Sequence, residues 1–226
     1  MRLERTLRLV IGSKTYSSWS LRPWLLLRER GVAFEEHCIP FAGSWREQAQ
    51  RLSPSGRVPV LFDGDLAVWD SLAICEYVAE AHGGWPAERQ PRARARAVAA
   101  EMHSGFAALR QELPQNLRVR GRAPKGACSA QCHAEIARIE SSWSACLNQS
   151  GGPWLFGAFG VADAMYAPVA LRFATYGVAL GATAAAYVAR VEELPSTRAW
   201  VDAALRESEE VEEAEALARR LGLARR

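Results

Sequence analysis

Lysine is almost absent from this sequence: of 28 basic residues only Lys14 and Lys125 are lysines. That skew reads as a coding bias towards arginine rather than as chemistry. With a net charge of +3 and a pI near 8.7, the balance is too mild to imply a nucleic-acid partner. The one basic cluster, "RVRGRAPK" at 118–125, lacks the interleaved aromatics that base stacking needs and reads as a solvated loop. Long apolar runs are missing too. Residues 173–189 carry no charge, but Thr175, Gly177, Gly181 and Thr183 interrupt them and they are slightly short for a membrane span, so a buried helix is expected. The N-terminal apolar run is shorter than a signal-peptide core and has no small-residue cleavage site after it. Cysteines are few and odd in number, five in all, which suits free thiols in a reducing compartment. "CSAQCH" holds Cys128, Cys132 and His133, yet no second ligand pair lies near it in sequence, so no zinc is expected. These absences point to a soluble cytoplasmic protein with no metal and no membrane partner.

What is present divides into two halves. A strand is expected over 7–12, a helix over 21–30 closed by Gly31, a strand over 32–39, and a helix over 45–52 that stops before Pro54. "VPVLFDGDLAVW" (58–69) reads as two strands joined at Asp63-Gly64. Asp70 can cap the helix that follows over 71–83. The order βαβαββα makes a mixed sheet with helices on it. The segment 84–92 has a linker's glycine and proline content. From 93 to 226 nothing reads as a strand. Four helical stretches are expected there, "RARAVAAEMHSGFAALRQEL", "HAEIARIESSWSACLNQ", "VADAMYAPVALRFATYGV" and "TRAWVDAALRESEEVEE", and alanine favours that state.

Three places could carry chemistry. "TYSSWSLRPW" (15–24) sets several hydroxyls between a strand and a helix, where they either cap the turn or activate a ligand. In "SPSGRVPVL" (53–61), Pro59 cannot donate to a strand ladder and marks an edge or an unusual turn. A cis Val58–Pro59 bond would turn the Val58 backbone outward, free to pair with a ligand's peptide. Asp70-Ser71 opens a helix whose free N–H groups suit a carboxylate.

Together with "WDSLAICEYV", "FGVADAMYAPV" and "LPSTRAWVDAAL", these segments resemble the cytosolic glutathione transferases over nearly the whole chain. The serine loop is most similar to the serine-type classes, in particular the zeta-like branch. The resemblance implies a thioredoxin-like α/β domain over 1–83, a linker over 84–92 and an all-α domain over 93–226. It implies glutathione as co-substrate, with Ser17 or Ser18 donating its hydroxyl to the sulfur and Ser17 slightly preferred. Val58, beside Pro59, would pair with the cysteinyl backbone. Asp70 and Ser71 would hold the γ-glutamyl end, and Arg57 and Lys14 are candidates for the glycyl carboxylate. A small hydrophobic electrophile would lie against Met102, His103, Phe106, Tyr166 and Phe173. A homodimer is implied, each N-terminal half packing on the partner's C-terminal half.

The serine chemistry stands on its own arithmetic. A thiol with a pKa of about 8.5 is only about 3% ionised at pH 7. Lowering it by about two units needs roughly 2.7 kcal/mol of preference for the thiolate. One charged hydrogen bond supplies about 1.5–3 kcal/mol, and a helix N-terminus adds roughly 0.3–1 kcal/mol. Two departures from the zeta-like pattern stand out. Trp19 replaces a cysteine, which argues against isomerase activity. Gly160 replaces the usual Ser or Thr three residues before Asp163 in a capping box. The rival expectation is a binding or regulatory module that keeps the groove without turnover. Glutathione-dependent isomerisation or peroxide reduction is a third. Cys38 and Cys75 are expected to be buried, which argues against a cysteine-based mechanism.

Overall fold

The computed structural model describes residues 6–124 and 126–226; Lys125, the end of the basic cluster, lies outside them. The first half runs β1 (Leu7–Gly12), α1 (Ser18–Glu29), β2 (Phe34–Ile39), α2 (Trp45–Leu52), β3 (Val60–Asp63), β4 (Leu66–Trp69) and α3 (Ser71–His82). The sheet order is β2-β1-β3-β4. β1 pairs parallel with β2, and the β1/β3 and β3/β4 pairs are antiparallel. This is the thioredoxin-like arrangement expected. One detail differs: Asp63 pairs with Leu66, so the turn residues are Gly64 and Asp65, with Gly64 at φ 59°. The left-handed position falls on the residue that tolerates it.

The second half continues α4 (Arg89–Ser104), α5 (Ala107–Glu112), β5 (Val119–Arg120), α6 (Ala130–Ser150), α7 (Val161–Tyr176), α8 (Ala182–Glu193), α9 (Pro195–Arg206), α10 (Glu212–Arg220) and β6 (Ala224–Arg225). It is helical as expected, with corrections. Three expected helical stretches are each broken. One divides at Gly105-Phe106, where Phe106 sits at φ 59°. Another stops at Gly177, also left-handed, so 173–189 spans the end of α7 and most of α8 rather than one helix. The third divides at 207–211. β5 and β6 form a short antiparallel pair that no alternation in the sequence signals. No described helix is long and apolar enough to cross a membrane.

α1 and α7 lie at the centre. α1 is buried from Ser20 to Leu27, because it packs against α3, α7 and α9, and nearly every residue of α7 is buried. One apolar core therefore runs through both halves, from Leu9 and Leu25 to Trp143, Tyr166 and Trp200. Gly160 explains its own departure from the capping pattern. A Cβ there would stand 2.5 Å from the Gly84 carbonyl oxygen, which accepts the Val161 N–H at 3.0 Å. Only glycine lets the inter-domain segment approach the head of α7 this closely. Asp163 still closes its half of the cap, accepting the Gly160 N–H at 3.0 Å.

Candidate active site

A cleft of about 420 Å³ opens where α1, the turn before β3, the head of α3 and α4 meet. Trp19, Ser55, Arg57, Val58, Pro59, Trp69, Asp70, Ser71 and His103 line it. Val58–Pro59 is cis and lies just before the β3 ladder, which begins at Val60. Asp70 caps α3 by accepting the Leu72 N–H at 2.9 Å and the Ala73 N–H at 3.3 Å. It holds φ 75°, a region that costs a non-glycine residue energy and recurs at ligand sites. Its other carboxylate oxygen lies 3.3 Å from His103 Nε2. Burial pushes the His103 imidazole below its ordinary range, against the pull of Asp70. Trp19 meets His103 edge to face, with ring centroids 5.5 Å apart.

The two candidate serines sit beside this cleft at the head of α1, both buried and neither lining it. Ser17 is the N-cap. Its oxygen accepts the Ser20 N–H at 3.3 Å and its hydroxyl donates to Ser20 Oγ at 2.8 Å. Ser20 Oγ in turn accepts the Gly12 N–H. Ser18 Oγ accepts from Arg172 Nη2 at 3.1 Å.

Behind Trp19 lies a group of arginines that the sequence reading did not single out. Arg22 on α1 is wholly buried and stacks 4.1 Å from the Trp19 ring. Its Nη1 donates to Ser71 Oγ at 3.4 Å. Arg110 on α5 lies 5.5 Å from the same ring. Arg172 on α7 is 4% exposed. Two nitrogens of Arg22 and two of Arg172 are buried without a partner. Burial pulls Arg22 down to about 9, with Arg172 and Arg110 adding repulsion, and pulls Arg172 down to about 10, with Arg110 adding repulsion. Both remain charged at neutral pH. The available signal was a lone arginine inside an apolar helical run, as in "APVALRFATY".

The remaining candidates are placed elsewhere. Lys14 pairs with Glu36 and faces the rings of Trp24 and Trp200, away from the cleft. Trp24 is likewise in the core, its Nε1 donating to Glu36 at 2.6 Å. Met102, Phe106, Tyr166 and Phe173 are all buried in the core. Their helical spacing reflects packing, and of the expected electrophile contacts only His103 lines the cleft. Cys75 is buried, while Cys38 is exposed on β2, contrary to expectation. Cys128 and Cys132 come together with Glu112 rather than His133. Both oxygens of Glu112 are already taken by the Ser129 N–H and hydroxyl, which start α6.

A thioredoxin-like sheet carrying a cis-proline turn and a helix N-terminus at one cleft, joined to a helical second half, defines the class. Residues 16–81 match the family model for the glutathione S-transferase N-terminal domain. Over 55 residues the chain is 36% identical to a dichloromethane dehalogenase of Methylophilus leisingeri, covering 23% of this chain and 21% of that protein. Over 64 residues it is 39% identical to a probable glutathione S-transferase, GSTF2, of Oryza sativa subsp. japonica, covering 27% and 30%. The matches thus span less than a third of these relatives. Among solved structures, a glutathione transferase homologue from a Burkholderia, with bound glutathione, superposes with a TM-score of 0.66 at 24% identity. That superposition covers 88% of this chain and 98% of the other. A maleyl pyruvate isomerase, a bacterial zeta-class protein, gives 0.68 at 23% identity over 89% and 100%. Residues 16–81 are therefore similar to a glutathione S-transferase N-terminal domain, and the whole chain has the fold of the glutathione transferases.

Proposed function

We propose that the protein is a glutathione transferase that ionises the glutathione thiol at the head of α1 and adds it to a small electrophile. The observation that carries this reading is the single cleft shared by Val58, cis-Pro59, Asp70 and Ser71, with Trp19 of α1 at its edge. The γ-glutamyl carboxylate takes the N–H and hydroxyl of Ser71, where a helix start favours an anion. Its amino group faces Asp70. The Val58 backbone meets the cysteinyl peptide, and Arg57 reaches for the glycyl carboxylate. The sulfur then lies against the serine loop, with Trp19 and His103 beside the electrophile. The sulfur lone pair forms the new S–C bond, and the leaving group departs with its electron pair. We expect a homodimer and a cytoplasmic setting.

One observation favours a second reading, a glutathione carrier without turnover: Ser17 and Ser18 both already have hydrogen-bond partners. Titrating the protein with glutathione, and following thiolate absorbance against pH, separates the two. Ionisation well below the free thiol's range supports the transferase. Binding without that change supports the carrier, and no binding removes both. A Ser71→Ala variant is expected to weaken glutathione binding about 10-fold or more, since it deletes a hydrogen bond to a charged group; calorimetry measures it.

A further inference from the structure

We propose that Glu112, Cys128 and Cys132 form a binding site for a thiophilic divalent cation of the zinc type, which pins the end of α5 to the start of α6. Glutathione plays no part in it. Among the described residues this is the one place where three such groups meet, with ligand atoms all within 4.8 Å of one another. Glu112 is the last residue of α5. Cys128 stands half-buried just before Ser129, the N-cap of α6, and Cys132 is buried in the first turn of that helix. The two cysteines lack a further ligand near them in sequence, which is why no zinc was expected. The fold supplies one from α5, earlier in the chain.

The donor set selects the cation. Magnesium and calcium take shells of oxygen, whereas two thiolates with one carboxylate suit zinc. A tetrahedral zinc with Zn–S bonds of about 2.3 Å sets its sulfurs about 3.8 Å apart, within reach of side-chain rotation here. The bonds from Ser129 do not close Glu112 to a cation. One oxygen accepts the Ser129 N–H at 2.6 Å and the other its hydroxyl at 2.7 Å, and each keeps a second lone pair. A ligating carboxylate oriented by outer hydrogen bonds is how metal sites are commonly braced. Three protein ligands leave a fourth position for water. Glu112 also lines a cavity of about 850 Å³ between α5, the loop before α6 and α10, which gives the group a way in from solvent.

Binding breaks two S–H bonds and forms two sulfur–metal bonds, and both protons leave to solvent. No electron is transferred and no oxidant is needed. Burial, with the hydrogen bond to Cys128 adding to it, pushes the Cys132 thiol above its ordinary range, so the cation itself drives that proton off. The first turn of α6 helps, since a helix N-terminus favours a sulfur anion. Glu112 is charged beforehand: the Ser129 hydroxyl and N–H hold its carboxyl below the ordinary 4.5. α5 and α6 already meet through Glu135, which accepts the Leu109 N–H at 2.8 Å. The cation adds a second tie between them.

The test is a titration of the untagged full-length protein, reduced with a phosphine, first with Co²⁺ and then with Zn²⁺. Glutathione is left out because it binds zinc itself. One Co²⁺ per chain is expected, with a thiolate-to-metal charge-transfer band, displaced by one Zn²⁺. The thermal midpoint should rise by roughly 5–10 °C at a hundredfold excess of Zn²⁺ over its Kd. Glu112→Gln, which keeps an acceptor for Ser129 and loses the charge, should weaken Zn²⁺ binding about 10-fold or more. Cys128→Ala and Cys132→Ala should each weaken it about 100-fold or more, at or beyond the upper end of what outer-shell changes cost. Cys128 is the less buried of the two, so its variant serves if Cys132→Ala folds poorly. Cys38→Ala, on β2, should bind as the wild type does. A reduced wild type that gives no charge-transfer band overturns the proposal. So does a folded Cys128→Ala that keeps wild-type affinity, or binding that is lost in Cys38→Ala instead. Thiol trapping and mass measurement at a cytosolic glutathione poise give the last check: Cys128 and Cys132 found joined as a disulfide there would also overturn it.

Discussion

An Asp163→Ala variant is expected to lose about 3–5 kcal/mol of folding stability, measured by urea unfolding, as removal of a fully buried network predicts. Asp163 is 1% exposed and accepts three hydrogen bonds, each at 3.0 Å. They come from the Leu155 N–H, the Gly160 N–H and the Tyr187 hydroxyl. Alanine leaves all three donors without a partner in the core. Two lie on the connection between α6 and α7 and the third on α8, so the loss reaches beyond the first turn of α7. The pH dependence carries a second signature. Burial pushes the Asp163 carboxyl from 3.8 up to about 6, against the three donors that pull it down. The folded state therefore binds more protons than the unfolded chain between those values. The stability this group contributes is fully present below pH 3.8 and is lost as pH rises through about 6. Asp163→Asn, which does not titrate, should remove that slope. The wild-type minus Asn difference in unfolding free energy should change across this interval and be flat above it. A flat difference throughout would mean the carboxyl ionises as it does in the unfolded chain.

The first half of the chain was legible because its signals are local. Asp63 and Gly64 announce the β3–β4 hairpin, Pro54 stops α2, and Asp70 and Gly83 bracket α3. All of these act within a few residues of where they stand. In the second half, alanine-rich helix pattern runs across the breaks at 105–106 and 207–211 without a pause. The first break lies at Phe106, a left-handed residue that no propensity favours. The second follows from a contact with the opposite end of the chain. The site divides in the same way. Pro59, Asp70 and Ser71 are turn and cap residues whose type reveals their role. Ser17 and Ser18 are neighbours of one type, and only a partner on α7 distinguishes them. Met102, Tyr166 and Phe173 have the spacing of either a lining or a core. Packing of α7 against α1 and α4 decides for the core.

That contact at 207–211 leads to the second large effect. Glu207 sits just past α9, and its carboxylate accepts the Ser13 hydroxyl and Lys14 N–H, each at 2.7 Å, and the Thr15 N–H at 3.0 Å. Arg118 donates to the Glu207 and Glu209 carbonyl oxygens. One turn of α10 further on, Glu215 accepts the Tyr16 hydroxyl at 2.7 Å and Asn116 Nδ2 at 2.8 Å. The last stretch of the chain thus grips the loop 13–16 that delivers Ser17 and Ser18 to the head of α1. A Glu207→Ala variant leaves Ser13 and Thr15, both fully buried, without their shared acceptor. It should lose about 2–4 kcal/mol of stability and, if the glutathione reading holds, about 10-fold in glutathione affinity as the loop loosens. Glu212→Ala is the contrast. Its partner Arg219 is largely exposed, and such a surface pair is worth at most about 1 kcal/mol. Acid should loosen the same brace. Burial pushes the Glu215 carboxyl up, but Tyr16, Asn116 and Arg225 outweigh burial and hold it below its ordinary 4.5. Its contribution is present above pH 4.5 and is lost as pH falls through the lowered value. Protection of the Lys14 and Thr15 amides from hydrogen exchange should fall in Glu207→Ala at neutral pH, because both donate to the Glu207 carboxylate. Equal protection of those amides in the two proteins at pH 7 would mean that the loop holds its shape without the C-terminal segment.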